Sequence, residues 1–527
     1  MRGRHPYVAR TAMTTTAPAP DTAFRTLPDL IGEHARHRPQ HPALRDDHAS
    51  LSYAELDALM DRIATALQQG GVQPGQAIAI CAAPSVRYAA VFMGALRAGV
   101  VVAPLAPSAT AESLASMLRD AGARLLFVDA STQDRLPAPD PAVPRIALDG
   151  GAAGRAFDDW LAPAGSRPQP AEIGPEAAFN IIYSSGTTGT PKGIVQSHAM
   201  RWAHIQRGSV YEYGPQGTTL LATPLYSNTT LVVFVPTLAY GGCVVLMPRF
   251  DALRYLQLAR QHRVTHTMLV PVQYQRIMAL PQFGEFDLSA FRFKFCTSAP
   301  FRAELKADVL ARWPGGLTEF YGMTEGGGTC ILDAHLHPDK LHTVGRPAAT
   351  SDIRLIDEDG REVPPGAAGE VVGHSPGMMT GYHGQPEKTR EAEWFDASGK
   401  RFIRTGDVGR FDAEGFLTLI DRRKDMIISG GFNIYPSDLE AQLRQHPAVH
   451  DAAVVGVPSA QWGETPVAFV VLHPGPAVAP HDIKDWYNQR AGKTQRLADL
   501  RLVAELPRSA IGKVLKRELR EGYGSTA

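Results

Sequence analysis

The apolar residues of this chain alternate between short runs and amphipathic stretches. Residues 51–70 carry apolar positions at helical spacing, begin after Ser52 as a helix cap and end at Gly70. Short apolar runs suited to buried strands occur at 77–81, 100–103, 125–128, 243–247, 265–270 and 293–297. Because such runs alternate with helical stretches, the pattern predicts an α/β fold with parallel-rich sheets.

The pattern of predicted elements changes after about residue 350. Short strands at 352–356, 369–373 and 416–420 are separated by turn sequences, which predicts a β-rich subdomain. From about residue 425, strands and helices alternate again and predict a small, mobile α+β C-terminal domain. We place the boundaries as a tail or start-site artefact at 1–22, an N-terminal domain at 23–421, a hinge at 422–424 and a C-terminal domain at 425–527.

Length, charge and cysteine content restrict the class of protein. A chain of 527 residues is too long for one hydrophobic core, and 44% hydrophobic with 20% charged residues is ordinary for a soluble protein. Lys and Arg number 53 and so do Asp and Glu, which argues against a nucleic-acid partner. The four cysteines form no CxxC pair, so we expect buried free thiols and a reducing cytoplasm.

One apolar stretch, residues 229–247, is long enough to be considered as a membrane span. It contains Pro236, Gly241 and Gly242, and the flanking charges show no asymmetry. We therefore predict a buried helix that runs into a buried strand, and no transmembrane segment.

The strongest chemical signal is the sequence YSSGTTGTPKG, which starts at Tyr183 and follows a predicted strand at 179–182. Its glycines allow close backbone approach, and its hydroxyls and backbone N–H groups can surround a phosphate. Lys192 adds a point charge. The loop lacks the GxxxxGK[ST] pattern of a Walker A motif, so it predicts a different phosphate-binding loop.

Four further motifs follow this loop: FYGMTE from Phe320, RTGDVG from Arg404, DRRKDMIISGGFNIYPSDLE from Asp421 and PRSAIGKVLKR from Pro507. With these five motifs in order, the chain resembles the adenylate-forming superfamily of acyl-CoA synthetases, peptide-synthetase adenylation domains and luciferases. The resemblance covers about residues 25–520. It implies a large N-terminal domain, a small C-terminal domain, and ATP, Mg²⁺ and coenzyme A as ligands.

The resemblance also implies roles for single residues. Tyr321 would pack on adenine, Glu325 and Thr188 would hold Mg²⁺, and Asp407 and Arg422 would reach the ribose. Lys513 would contact the carboxylate and the α-phosphate, and Thr188, Lys192 and Glu325 would complete the catalytic set. The full set expected around ATP or AMP is Ser184, Ser185, Gly186, Thr187, Thr188, Gly189, Lys192, Ser298, Ala299, Pro300, Tyr321, Gly322, Met323, Thr324, Asp407 and Arg422.

Members of the superfamily run two half-reactions in two orientations of the C-terminal domain. Lys424 aligns with their hinge residue, and Lys513 faces the active site in the first orientation. In the second, Gly430, Gly431 and Phe432 would line a tunnel for the pantetheine arm of coenzyme A. A hairpin turn without a ligand is the alternative reading of the two glycines.

The sequence departs from the superfamily at the acyl pocket. Many acyl- and aryl-CoA ligases have Pro-Leu-Phe-His, whereas here Ser227 takes the histidine position and leaves Tyr226 or Asn228 to substitute for it. No aspartate lies between 224 and 230 to pair with an amino group. Gly326, Gly327 and Gly328 follow the Thr-Glu pair where acetate enzymes have tryptophan, and they leave space there. A medium-chain, branched, alicyclic or aromatic acid is therefore favoured. The expected pocket walls are Tyr226, Ser227, Asn228, Thr297, Ser298, Met323, Gly327 and Gly328.

Two histidines near these motifs are not expected to act in catalysis. His198 follows the phosphate loop, but a carboxylate substrate is already ionised at neutral pH and needs no base. His266 lies at a strand position and is predicted to be a satisfied interior residue.

The predicted activity is that of an acid–CoA ligase, which adenylates a carboxylic acid and passes the acyl group to coenzyme A. A stand-alone enzyme that loads a carrier-protein thiol is the nearest alternative, and a non-catalytic nucleotide-binding descendant is a remote one. The expected partners are a small carboxylic acid, ATP and coenzyme A. Oligomeric state stays open, although homodimers occur among related enzymes.

Overall fold

The structure is a computed structural model that describes residues 23–151, 153–184, 192–422, 425–429, 432–459, 462–475, 478–492, 495–509 and 512–524. The elements up to residue 184 are α1 (Leu27–His37), β1 (Pro42–Arg45), β2 (Ser50–Ser52), α2 (Tyr53–Gln69), β3 (Ala77–Cys81), α3 (Val86–Arg97), β4 (Val101–Pro104), α4 (Ala111–Asp120), β5 (Ala123–Val128), β6 (Arg145–Ala147), β7 (Arg155–Ala156), α5 (Phe157–Trp160) and β8 (Ala178–Ser184).

The next elements complete the core of the large domain. They are β9 (Lys192–Ser197), α6 (His198–Arg207), β10 (Thr218–Leu221), α7 (Asn228–Ala239), β11 (Cys243–Leu246), α8 (Ala252–Gln261), β12 (His266–Leu269), α9 (Pro271–Met278), β13 (Phe293–Cys296), α10 (Ala303–Arg312), β14 (Gly316–Met323), β15 (Gly326–Asp333) and β16 (Arg346–Pro347). Short 3-10 turns lie at Ala130–Arg135, Gly208–Val210 and Phe283–Glu285.

The C-terminal third is richer in strands. It contains β17 (Asp352–Ile356), β18 (Gly369–His374), β19 (Gly381–Tyr382), α11 (Pro386–Glu391), β20 (Glu393–Phe395), β21 (Arg401–Phe411), β22 (Leu417–Arg422), β23 (Ile427–Ser429), β24 (Phe432–Ile434), α12 (Pro436–Leu443), β25 (Val449–Ser459), β26 (Gly463–Leu472), α13 (Pro480–Asn488), β27 (Asp499–Leu502) and α14 (Lys516–Gly524).

Two large sheets form the body of the N-terminal domain. One has the strand order β16-β15-β14-β13-β12-β10-β11-β1-β2, and its central strands β14 to β1 run parallel. The other has the order β19-β9-β8-β4-β3-β5-β6-β7, parallel from β8 to β7. The carboxyl ends of parallel strands lie at one edge of each sheet, where side chains from several strands can meet.

Two smaller sheets follow. The order β17-β18-β21-β20, with β22 beside β21, is antiparallel and matches the predicted β-rich subdomain. The order β24-β23-β26-β25, with β27 parallel to β26, carries helices α12 and α13 against a core that includes Ile427, Leu439 and Ile483. The α/β fold with a large N-terminal and a smaller C-terminal domain is therefore confirmed.

The local predictions can be compared with particular elements. Ser52 caps α2 through a capping box with Glu55, as the pattern at 51–70 indicates. The apolar stretch at 229–247 forms α7 and β11, both almost wholly buried. Among the described residues no helix is long and apolar enough to cross a membrane. All four cysteines are buried and free, as predicted.

Candidate active site

The phosphate-loop motif lies between two paired strands. β8 ends at Ser184 and β9 begins at Lys192, and these two residues are partners in the antiparallel register. The predicted ligands Ser185, Gly186, Thr187, Thr188 and Gly189 lie outside the described residues, as does the side chain of Ser184. The strands place both ends of the loop at the carboxyl edge of the eight-stranded sheet.

The FYGMTE motif lies at the end of β14, where the parallel strands of the nine-stranded sheet end. Tyr321, near the end of β14, donates its hydroxyl to Asp407 Oδ2 at 2.9 Å. Burial raises the pKa of Tyr321, and the nearby Asp407 carboxylate raises it further. Asp407 on β21 is the register partner of Arg422 on β22, whose side chain lies outside the described part. The two predicted ribose ligands and the predicted adenine ring contact are thus brought together.

The Glu325 carboxylate accepts a hydrogen bond from a tyrosine that lies outside the motif. Tyr382 on β19 donates to Glu325 Oε1 at 2.9 Å, and burial together with Glu325 raises the pKa of Tyr382. The ammonium of Lys192 lies 4.9 Å from the centre of the Tyr382 ring. Glu325 and Lys192, distant in sequence, therefore flank one aromatic side chain.

Three consecutive glycines at 326–328 have positive φ values of 81°, 72° and 109°. A Cβ on Gly326 would lie 2.0 Å from the carbonyl oxygen of Gly377, and one on Gly328 would lie 2.5 Å from Ile353 Cδ1. The glycines are thus required where β15 packs closely on the β-rich subdomain. This packing gives the three glycines a structural reason, and a role of Gly327 and Gly328 in the acyl pocket stays a prediction.

The segment after β13 holds a strained residue. Ser298 has a φ of 82°, a left-handed conformation that is uncommon for residues other than glycine. Its hydroxyl pairs with Thr229 Oγ1 at 2.6 Å, which links this segment to the start of α7. Thr297, Ser298 and Ala299 are half-buried, and Pro300 is exposed. Backbone strain of this kind concentrates at functional sites.

Ser227 has a local structural reason to replace histidine. It is the N-cap of α7 and accepts from Thr229 N at 3.3 Å. The side-chain oxygen of the next residue, Asn228, accepts a hydrogen bond from Arg201 Nη1 at 2.8 Å. Burial raises the pKa of the neighbouring Tyr226, with a smaller contribution from Cys81 on β3.

Arg201 is the centre of a buried polar network. Its side chain is 1% exposed and donates to the amide oxygens of Asn180, Gln196 and Asn228. The Gln196 amide nitrogen in turn donates to the backbone oxygen of Thr324 at 2.7 Å. Burial lowers the pKa of Arg201 to about 9, and none of its described partners is a carboxylate. This network fixes the FYGMTE turn against helix α6.

A small cavity lies beside this network, between helices α6 and α7 and strands β13 and β14. Its volume is about 10 Å³, room for about one water molecule, and four of its ten lining residues are Phe or Tyr. The lining residues are His204, Arg207, Gly208, Tyr211, Tyr213, Val232, Val233, Pro236, Phe295 and Phe320. None of the eight residues predicted to wall the acyl pocket lines this cavity.

The loop that carries Lys513 packs against the N-terminal domain. A Cβ on Gly512 would lie 2.9 Å from Val272 Cγ1, and Val272 follows the carboxyl end of β12. Arg508 donates to the Gly512 carbonyl at 2.7 Å and to Asp451 Oδ2 at 2.6 Å. Asp451 also accepts from Arg302 of the large domain at 2.6 Å. The Lys513 loop is thus fastened at the edge where the other site residues lie.

The remaining predicted residues are distributed as follows. Gly322 is exposed, Thr324 is half-buried, and Met323 packs against a cluster that includes Tyr382 and Ile403. Ser429 and Phe432 are paired in the register of β23 and β24. The predicted hinge residue Lys424, the glycines Gly430 and Gly431 and the side chain of Phe432 lie outside the described residues.

Both histidines have the structural roles predicted for them. His198 is 4% exposed, packs edge-on against Phe179, and has its pKa lowered to about 4 by burial. His266 is fully buried between Thr265 Oγ1 at 2.7 Å and the Tyr211 carbonyl at 2.7 Å.

Sequence reasoning missed Tyr382, Gln196, Arg201 and Arg207. Tyr382 lies in a GYHG stretch that could have been noticed as a turn with a single aromatic residue. Arg201 and Arg207 lie six residues apart on α6, and an arginine on an otherwise apolar helix face is a signal available from sequence. The interdomain residue Asp451 gave no sequence signal.

Glu325 is the carboxylate that could hold Mg²⁺. The described part of the chain contains no cluster of three or more His, Cys, Asp or Glu residues suited to a metal ion. Mg²⁺ commonly binds through one or two carboxylates and completes its shell with phosphate and water. Glu325, fixed by Tyr382 near Lys192, fits such a site.

Comparison with known proteins agrees with this geometry. A family model described as AMP-binding enzyme matches residues 31–383, and its C-terminal domain model matches 438–513. The feruloyl-CoA synthase of an Amycolatopsis species is 34% identical over 93% of this chain and 97% of its own. The fatty acid–[acyl-carrier-protein] ligase ScoC of Streptomyces coeruleorubidus is 32% identical over 95% and 97%.

A solved structure of a CoA synthetase has the same fold. The o-succinylbenzoate CoA synthetase MenE of Bacillus subtilis, in complex with its acyl-adenylate intermediate, superposes with a TM-score of 0.80 at 26% identity, over 94% of this chain and 99% of that one. Fold and site together define an ATP-dependent ligase of the adenylate-forming class. The chain belongs to the AMP-binding enzyme family, whose models match most of its length.

Proposed function

We propose that this protein is an aromatic acid–CoA ligase that works through an acyl-adenylate. In the first step, a carboxylate oxygen attacks the α-phosphorus of ATP, the bond to the β-phosphate breaks, and pyrophosphate leaves. In the second step, the thiol of coenzyme A attacks the acyl carbon, loses its proton and releases AMP. The protein contributes mainly positioning and charge stabilisation.

The observation that carries the proposal is the docking of the Lys513 loop on the carboxyl edge of the large sheet. Gly512 contacts Val272, and Arg508, Asp451 and Arg302 fasten the loop. This arrangement supports a role for Lys513 beside the α-phosphate, where negative charge develops as pyrophosphate departs.

On the nucleotide side, each predicted ligand would have a separate task. Tyr321 would offer its ring to adenine, and Asp407 would accept from the ribose hydroxyls. Glu325 would be the protein ligand of Mg²⁺, which supplies charge neutralisation on the phosphates when bound. Tyr382 would keep the Glu325 carboxylate in one orientation.

An aromatic acid is favoured by the relatives. A feruloyl-CoA synthase and an o-succinylbenzoate CoA synthetase, both named for aromatic acids, are among the similar proteins.

One test measures AMP and thioester with purified protein, Mg·ATP, coenzyme A and a panel of acids. The panel includes acetate, hexanoate, benzoate, cinnamate and para-isopropylbenzoate. We expect AMP formation that needs an aromatic acid and yields the thioester. Lys513→Ala should lower it by about 100- to 1,000-fold, whereas Arg517→Ala, at an exposed position, should not. Turnover confined to acetate, or acid-independent AMP formation, would contradict the proposal.

The carrier-protein alternative is kept because ScoC, an acyl-carrier-protein ligase, is 32% identical to this chain. Both functions share the adenylation step and differ only in the thiol acceptor. Acid-dependent exchange of pyrophosphate into ATP, without thioester when free coenzyme A is present, would favour the carrier protein.

A further inference from the structure

Three side-chain amides contact the buried guanidinium of Arg201, and two of them use both their oxygen and their nitrogen within the protein. Asn180 accepts from Arg201 at 2.9 Å and donates its nitrogen to Gln196 Oε1 at 3.0 Å. Gln196 accepts from Arg201 and donates its nitrogen to the Thr324 carbonyl at 2.7 Å. These two amides have a complete structural role in holding the FYGMTE turn.

The third amide, Asn228, is engaged only through its oxygen. Asn228 Oδ1 accepts from Arg201 Nη1 at 2.8 Å and lies 3.4 Å from Gln196 Nε2. A guanidinium has only donors, so it keeps the oxygen of this amide on its own side and the nitrogen on the other. In the part of the chain that the structure describes, Asn228 Nδ2 has no hydrogen-bond partner, and the residue is half-buried. Arg201 therefore holds an unused amide donor in one orientation.

This donor lies among residues that are predicted to bind the nucleotide and the acid. The Gln196 nitrogen that contacts Asn228 also donates to the Thr324 carbonyl of the FYGMTE turn. Thr229, the next residue along α7, pairs with the hydroxyl of the strained Ser298 at 2.6 Å. Asn228 is thus placed between the FYGMTE turn and the segment after β13.

The two residues before Asn228 already have other contacts. The Ser227 hydroxyl accepts from Thr229 N as the cap of α7. Burial, and after it the Cys81 thiol, raises the pKa of Tyr226. The pKa of Tyr88 is raised by burial first, then by Cys81 and by Tyr226. The Tyr226 hydroxyl therefore lies beside two buried residues that belong to none of the five motifs.

We propose that Asn228 Nδ2 donates a hydrogen bond to the oxygen of the acid that becomes the acyl carbonyl oxygen, and that Arg201 is its positioning residue. One carboxylate oxygen attacks the α-phosphorus while the other accepts from Nδ2. When the thiol attacks the acyl carbon, this oxygen takes the electron pair of the C=O bond, keeps the same hydrogen bond as an oxyanion, and returns the pair as AMP leaves. This inference rests on the proposed ligase function and names the residue that holds the acid.

The isosteric change Asn228→Asp tests the donor. It keeps an oxygen toward Arg201 and gives the buried guanidinium a carboxylate partner, so the free energy of unfolding in urea should not fall. It also removes the donor and places a negative charge beside the acid. We expect kcat/KM for cinnamate or benzoate, whichever reacts faster, to fall at least about 100-fold in acid-dependent exchange of pyrophosphate into ATP. KM for Mg·ATP should stay unchanged.

Two further variants separate the donor from the added charge. Asn228→Ala removes the donor without a new charge and should lower the same kcat/KM about tenfold. Gln206→Glu makes the same amide-to-carboxylate change at an exposed position of α6 and should have no effect. Native-like kcat/KM in Asn228→Asp or Asn228→Ala, or a rise in KM for Mg·ATP equal to that for the acid, would overturn the donor.

The positioning role of Arg201 is tested by a double-variant cycle. Arg201→Lys keeps the positive charge but loses the planar fork that contacts the three amides, so KM for the acid should rise about tenfold. Because Arg201 acts through Asn228, adding Arg201→Lys to Asn228→Ala should raise KM for the acid little further. Additive effects would overturn the positioning role. Should Arg201→Lys fail to fold, the two Asn228 variants still decide whether the donor acts.

The failure of this proposal can be distinguished from the failure of the ligase function. An acid that reacts as fast in Asn228→Asp as in the native enzyme would overturn the donor and leave the ligase function standing. If the native enzyme turns over no acid, calorimetry with AMP and with benzoyl-sulfamoyl adenosine, an uncleaved analogue of an acyl-adenylate, decides. Tighter binding of the acylated compound, lost in Asn228→Asp while AMP binding is kept, supports the donor. Equal binding by both proteins, or none, overturns it.

Discussion

Two groups of polar side chains meet at the FYGMTE turn and differ in charge. On the side that we propose for the nucleotide, Asp407 and Glu325 are carboxylates held by the hydroxyls of Tyr321 and Tyr382. On the proposed acyl side, Arg201 contacts only neutral amides and a histidine, and Arg207 contacts a threonine. The first group offers acceptors for hydroxyls and a cation, whereas the N–H groups of Arg201 already donate to neutral oxygens.

The two proposed sides differ in the elements that build them. The nucleotide side comes from strand ends and turns with recognisable motifs. The acyl side comes from one face of α6 and the start of α7, and Arg201 of α6 contacts Asn180 and Gln196 on the strands of the sheet. The Gln196 amide joins the two sides at the Thr324 carbonyl.

The largest predicted effect removes the charge that serves both sides. Lys513→Ala should lower the rate of adenylation by about 100- to 1,000-fold, because one preorganised donor at the developing charge is lost. Acid-dependent exchange of pyrophosphate into ATP measures this step. Thioester formation from supplied acyl-adenylate should be retained, and loss of both steps together would contradict the assignment.

A smaller effect is expected at the contact that fastens the Lys513 loop. Asp451→Asn weakens the pairs with Arg302 and Arg508 and should lower adenylation between about 10- and 100-fold, since misplacement of a catalytic group by 1 Å is costly. Thioester formation from acyl-adenylate should not fall. The matched control is Asp482→Asn on exposed α13, and a uniform loss of both half-reactions would make Asp451 merely structural.

On the nucleotide side alone, Tyr382→Phe removes the hydroxyl that orients Glu325. We expect kcat/KM for Mg·ATP to fall about tenfold, the worth of one hydrogen bond to a charged group. The Mg²⁺ concentration needed for half-maximal rate should rise, and KM for the acid should stay unchanged. An altered KM for the acid with normal Mg²⁺ dependence would contradict the assignment of Tyr382 to the nucleotide side.

The smallest effect is expected where serine replaces histidine on the acyl side. Ser227→Ala should cost about 1 kcal/mol of stability through loss of the α7 cap and should leave kcat nearly unchanged. Urea unfolding measures the first quantity, and Ser227→Asp should retain the cap. A large loss of kcat with normal stability would show that Ser227 acts on the substrate.

Many of these features could be predicted from the sequence, and each for a local reason. Helix α2 is predicted by Ser52, Glu55 and an apolar stripe, because a cap and its helix are neighbours along the chain. The alternation of apolar runs predicts the parallel sheets, since strands buried on both faces must be apolar throughout. Asp407, Tyr321, Glu325 and Lys513 could be predicted as site residues because each lies inside a short motif, and their roles stay predictions.

Other features were decided only by the tertiary structure. Tyr382 reaches Glu325 from 57 residues away, and Asp451 reaches Arg302 from 149 residues away. The close packing of the glycines at 326–328 on the β-rich subdomain depends on strands that follow later in the chain. Whether the charge of Arg207 is paired depends on every side chain that folding brings near it. The sequence specifies which polar groups exist. Only the packing determines which of these groups have a partner once they are removed from water.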